Sequence, residues 1–168
     1  PAIRKSTDHP RRALLLACGN TLRGDDGVGW CIGCAAEQQL RRAELTVVRT
    51  RQLLPEHAEA ISTADIVVFV DCSAVTTAGT VSTIPIQPTE SLPHTLTHHL
   101  DPGSLLRMAH DLYDRTPSHA VVITVGGESF ELTDRLSRTV KAAVPKALEA
   151  VRCALCDATL EETATQAC

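Results

Sequence analysis

Aromatic residues are scarce: one Trp, one Tyr and two Phe in 168 residues. That excludes a surface of stacked rings for single-stranded nucleic acid and leaves the core to Leu, Val, Ile and Ala. Positive charge is not in excess either. Lys and Arg number 16 against 20 Asp and Glu, a net charge of −4, which argues against nucleic acid or an anionic membrane as partner. Long hydrophobic runs are also missing. The run from Ala13 to Cys18 falls far short of the ~20 residues that a membrane helix needs. A basic start, Arg4, Lys5, Arg11 and Arg12, before Ala13-Leu14-Leu15-Leu16 imitates a signal peptide, but Gly19-Asn20 follow too soon. Seven cysteines are an odd number without the spacing of a small disulfide framework, so the expected location is the cytoplasm. No G-x-S-x-G occurs; Gly127-Glu128-Ser129-Phe130-Glu131 lacks the closing glycine of that nucleophile turn.

What is present is an alternation of strand and helix. Ala13 to Cys18 reads as a buried parallel strand. Val28, Cys31, Ile32, Ala35 and Gln39 then fall at helical spacing through Leu40, and Leu45 to Val48 is a short strand. Pro55 to Ile61 suits a short helix with Pro in its first turn. Ile66 to Val70 is an apolar strand ending at Asp71, and Thr80 to Ile84 is another. Pro85 to Leu100, with three prolines, reads as a long loop. Asp101-Pro102 caps a helix to about Leu112. Ala120 to Val125 is the last strand, and Thr133 to Cys156 a long helix that Pro145 could bend. The expected architecture is α/β: a three-layer αβα sandwich with a largely parallel, mixed sheet of about five strands. One domain is expected over residues 1–168, its core about 13–152, with a ragged leader and a frayed tail from Asp157.

In such a fold the site lies beyond the carboxyl ends of the strands. The segment Cys-Gly-Asn-Thr-Leu-Arg-Gly-Asp-Asp-Gly, residues 18–27, falls there. It resembles a phosphate loop until Asp25 and Asp26 stand where Lys and Ser/Thr belong, and two aspartates repel a phosphate. The plain reading is a helix cap and a first-turn acid. The alternative is a cation site shared with Asp71, which could equally cap a turn. The loop bearing His94, His98 and His99 could fold over the same edge. Two carboxylates and an imidazole suit nickel or zinc. Cys31-x-x-Cys34 and Cys153-x-x-Cys156 lie too far apart for a zinc ribbon and read as helix-packing thiols. Cys72, beside Asp71, reads as a structural thiol.

Together these residues bear a family resemblance. The segment CGNTLRGDDGVG is similar to the G-N-x-L-x-x-D-[DE]-G-x-G signature of the hydrogenase maturation endopeptidases. VVFVDCS resembles the family's strand ending in Asp, LTHHLDPGSLL its T-H-x-x-x-x-x-L-L segment, and AVVITVGGESFELTDRLS the late strand and loop of some members. The similarity runs from about Leu14 to Val151.

The resemblance implies an endopeptidase that trims the C-terminal extension from the large-subunit precursor of a nickel–iron hydrogenase, after nickel has been inserted. Nickel, supplied by that substrate, would meet Asp26, Asp71 and His98, with His99 the rival for the third place because the doubled His leaves the register open by one. Many members carry Asp-Gly-Gly-Thr after the second strand; here TRQLLPEHAEAI resembles a Gln-Leu-x-x-Glu sub-group, pointing to Gln52 and Glu56 as groove residues. Glu128 and Glu131, after the last strand, are candidates for activating water. The rival readings are a nickel-sensing chaperone without cleavage, a nucleotide-binding domain, and a metal hydrolase of another substrate.

Overall fold

The computed structural model describes residues 11–40, 42–88 and 100–157. Its elements in chain order are β1 (Ala13–Cys18), a 3-10 turn (Gly24–Gly27), α1 (Val28–Gln39), β2 (Leu45–Thr50), α2 (His57–Thr63) and β3 (Ile66–Ser73). Then come β4 (Val81–Pro85), α3 (Pro102–Tyr113), β5 (His119–Gly126) and α4 (Arg138–Asp157). One five-stranded sheet runs in the order β2-β1-β3-β5-β4. Four strands are parallel, and β4 pairs antiparallel with β5. The expected mixed α/β sandwich is what the chain forms.

Strand alternation divides the core into two layers. Leu15, Val68, Val70, Ile123 and Val125 face α1 and α4. Leu14, Leu16, Val67 and Phe69 face α2 and α3, meeting Ile61, Leu105 and Leu106. Both faces of the sheet are covered, and so β1 and the first five residues of β3 are buried without interruption.

Several boundaries differ from the sequence reading. The buried stripe of α1 is Val28, Ile32 and Ala36, with Gly29 and Gly33, while Cys31 is exposed. The glycines set that choice: a Cβ on Gly29 would stand 1.9 Å from the carbonyl oxygen of Cys18, so the helix lies directly on β1. The short helix α2 starts two residues later than expected, because Pro55 supplies a turn carbonyl to the N–H of Ala58. β3 runs on to Ser73, held by pairing with β5 through Gly126, so Asp71 lies within the strand rather than after it. The last helix begins at Arg138 instead of Thr133. Residues before it are held elsewhere: Gly24 N–H donates to the carbonyl of Thr133, and Ser137 caps the helix by accepting from the N–H of Val140. That helix continues through Pro145. The Asp101 cap is as read: its side chain accepts from Ser104 N–H at 3.0 Å, and Pro102 opens α3.

Candidate active site

The two adjacent aspartates have separate fates. Asp25 is fully buried. Its Oδ2 accepts the backbone N–H groups of Glu128 and Ser129, both at 2.9 Å, and its Oδ1 accepts that of Ser137 at 2.6 Å. Burial alone would raise its carboxyl group, but these hydrogen bonds outweigh burial and hold it below the ordinary carboxylate range. Asp25 therefore fastens the chain between β5 and α4 to the loop after β1. Sequence reasoning missed this role, because nothing in two adjacent aspartates tells which will meet residues a hundred positions away.

Asp26 stays accessible. Its Oδ2 accepts the N–H of Asn20 at 3.2 Å, which turns the carboxylate toward a groove rather than into the helix. Gly19 makes this turn possible: its φ is +147°, and a Cβ there would lie 2.0 Å from the carbonyl oxygen of Asp26. The second acid arrives from the neighbouring strand. Asp71 Oδ1 accepts the N–H of its own neighbour Cys72 at 2.8 Å. Its side chain reaches solvent, yet protein surrounds it closely enough for desolvation to raise its carboxyl group. The Cys72 N–H acts against that rise, and the nearby Asp26 charge adds to it.

Both carboxylates line a groove of about 1110 Å³ at the carboxyl ends of β1, β2 and β3, where an open parallel sheet places its site. The walls include Arg23, Arg51, Gln52, Leu53 and Thr124. Gln52 thus lies where the sequence put it; Glu56 is not among the lining residues, nor are Glu128 and Glu131. His98 and His99 lie outside the described residues. Leu100, where the described chain resumes, lines the groove, as do Asp101 and Pro102.

Two thiols, Cys18 and Cys72, also line the groove. Burial first, then the charge of Asp71, pushes Cys18 up to about 12. Burial and the charges of Asp26, Asp71 and Asp25 push Cys72 up to about 12. Neither is a thiolate at neutral pH, so neither has the character of a cysteine nucleophile. Asp101 is committed to its helix cap. Among the described residues no three His, Cys, Asp or Glu side chains gather as a metal-binding group, the Cys-x-x-Cys pairs included.

Fold and groove define an α/β protein that presents paired carboxylates at the carboxyl edge of a parallel sheet. More particularly, the chain is similar to the hydrogenase maturating endopeptidase HybD from E. coli, at 25% identity and a TM-score of 0.70, covering 87% of this chain and 93% of that one. Two structures from Thermococcus kodakarensis share the fold. The [NiFe] hydrogenase maturation protease HycI shows 20% identity and a TM-score of 0.66, covering 86% of this chain and 92% of its own. The maturation protease HybD shows 24% identity and a TM-score of 0.61, covering 84% and 97%. No family model and no curated protein matches the chain. The resemblance read from the sequence thus holds in three dimensions, and the named endopeptidases among the neighbours bear out the expectation of a peptidase.

Proposed function

We propose that this protein is a nickel-dependent endopeptidase that removes the C-terminal extension from the large-subunit precursor of a nickel–iron hydrogenase, after nickel has entered that precursor. One observation carries the reading: Asp26, from the turn after β1, and Asp71, from β3, line one open groove in a fold similar to that of the HybD endopeptidase. Two like charges held together favour a cation between them. On this reading the cation is nickel that belongs to the substrate, and His98 completes the ligand set with the two aspartates. Imidazole with carboxylates is a suitable set for nickel.

The carboxylates would then anchor the loaded precursor beside its scissile bond. The metal supplies Lewis-acid polarisation of a carbonyl or a more acidic water. With both groove thiols protonated, the attacking group in this scheme is water rather than cysteine. The host setting that fits is the cytoplasm; among the described residues no helix is long and apolar enough to cross a membrane.

Mass spectrometry of the precursor, nickel-loaded and nickel-free, tests the proposal after incubation with the protein. Loss of a C-terminal peptide from the loaded form alone is the expected result, and Asp26→Ala or Asp71→Ala should reduce it at least ~100-fold. Equal cleavage of both forms would remove the nickel role. Binding without cleavage would establish the chaperone reading instead.

A further inference from the structure

The groove that holds two acids also holds two cations. Arg23 and Arg51 both line it. They come from loops at the ends of adjacent strands: Cys18 of β1 is in register with Thr50 of β2, and Gly19 N–H donates to the carbonyl of Thr50. Arg51 follows Thr50 directly. Arg23 N–H donates to the carbonyl of Asn20, the residue whose own N–H holds Asp26. Both residues therefore enter the groove from backbone that adjoins the loop carrying Asp26.

Neither guanidinium group has a hydrogen-bonding or ionic partner among the described residues. This contrasts with Arg49, Arg107 and Arg152, which hold the carboxylates of Glu37, Asp111 and Glu149. No ion pair joins Arg23 or Arg51 to Asp26 or Asp71, although all four line one cavity. The groove thus keeps opposite charges apart and unsatisfied, an arrangement complementary to an occupant that carries both signs.

We propose that Arg23 and Arg51 form a carboxylate-binding subsite that positions the peptide substrate while the aspartates hold its positive centre. This rests on the peptidase reading above. A guanidinium offers a planar fork that matches a carboxylate with two parallel hydrogen bonds. Phosphate fits less well, since its second charge would add to the repulsion from Asp26 and Asp71. The carboxylate has two possible sources, an acidic side chain of the extension or its C-terminus, and the chemistry at the arginines is the same for both.

The test uses isotope-labelled full-length protein and three probes, followed by nuclear magnetic resonance. These are acetyl-triglycine with a free C-terminus, acetyl-Ala-Glu-Ala-amide and acetyl-Ala-Gln-Ala-amide. The expected result is that one or both carboxylate probes shift the side-chain resonances of Arg23 and Arg51 while the Gln probe does not. Binding should fall about tenfold or more in the Arg23→Gln/Arg51→Gln variant and weaken with salt. The probe that binds better identifies the source. No shift, or equal shifts with the Gln probe, would overturn the subsite.

Cleavage of the loaded precursor separates this inference from the one beneath it. A raised KM with kcat retained in the double variant supports the subsite. An unchanged KM removes the subsite and leaves the endopeptidase standing. Probe binding without any cleavage by the wild-type protein removes the endopeptidase and leaves the subsite. Arg135→Gln, exposed and outside the groove, is the control that should change neither.

Discussion

At the scale of the residue, Asp25 and Asp26 show how neighbours of one chemical type divide their labour. Asp25 has no route to solvent and its carboxylate accepts three backbone N–H groups. In Asp25→Asn the amide oxygen can still accept the pair from Glu128 and Ser129, but the amide NH2 then faces the N–H of Ser137. Two donors opposed in a buried site cost about 1–3 kcal/mol, so urea denaturation should show a loss of that size at neutral pH. The carboxyl is lowered in the folded state. Its stabilisation is therefore fully present above the unfolded value of about 3.9 and is lost as pH falls through the folded value. The wild-type advantage over Asp25→Asn should shrink with acid over that window; a gap that stays constant would show that the charge is not what stabilises.

At the scale of the element, α1 is placed by what it lacks. Gly29 rests on β1 with no room for a methyl group beside the Cys18 carbonyl. Gly29→Ala should therefore cost stability despite the better helix propensity of alanine. Helix propensity alone favours Ala by about 1 kcal/mol, whereas overpacking typically costs 1–3 kcal/mol. A lowered denaturation midpoint is the expected outcome, and a raised one would mean the helix can slide off the strand. The elements themselves were largely legible in the sequence. Continuous apolar runs marked β1 and β3, and Asp101-Pro102 marked the start of α3. The errors fell where tertiary contacts compete with local pattern. The start of α4 moved because Thr133 and Ser137 give their backbone groups to the loop after β1. β3 lengthened because β5 offers partners as far as Gly126. The stripe of α1 shifted because glycines, silent in a hydrophobicity pattern, permit the closest approach.

At the scale of the whole molecule, the site is assembled by topology. Parallel strands end on one edge of the sheet, so a residue after β1 and a residue near the end of β3 share a groove although 45 positions separate them. α3 begins on the wall of that groove, and His98 and His99 come just before it in the sequence. If His98 supplies the third ligand, His98→Ala should abolish precursor processing while His99→Ala leaves it within a few-fold. The reverse result would move the register by one and keep the site. Processing by both variants would leave the aspartates to act without either imidazole.

The sequence by itself determined the order of the elements, the largely parallel sheet and the edge on which the candidate groove lies, because period and chain direction are properties of the linear pattern. It also singled out Asp26 and Asp71 as candidates, through a motif that resembles a known family. Only the tertiary structure decided that Asp25 is a fastener, that burial and neighbouring charge raise both groove thiols, and that Arg23 and Arg51 line the groove of the acids without an ionic partner among the described residues. Each of those outcomes depends on burial and on partners brought from distant parts of the chain, and electrostatics and hydrogen bonding act through space.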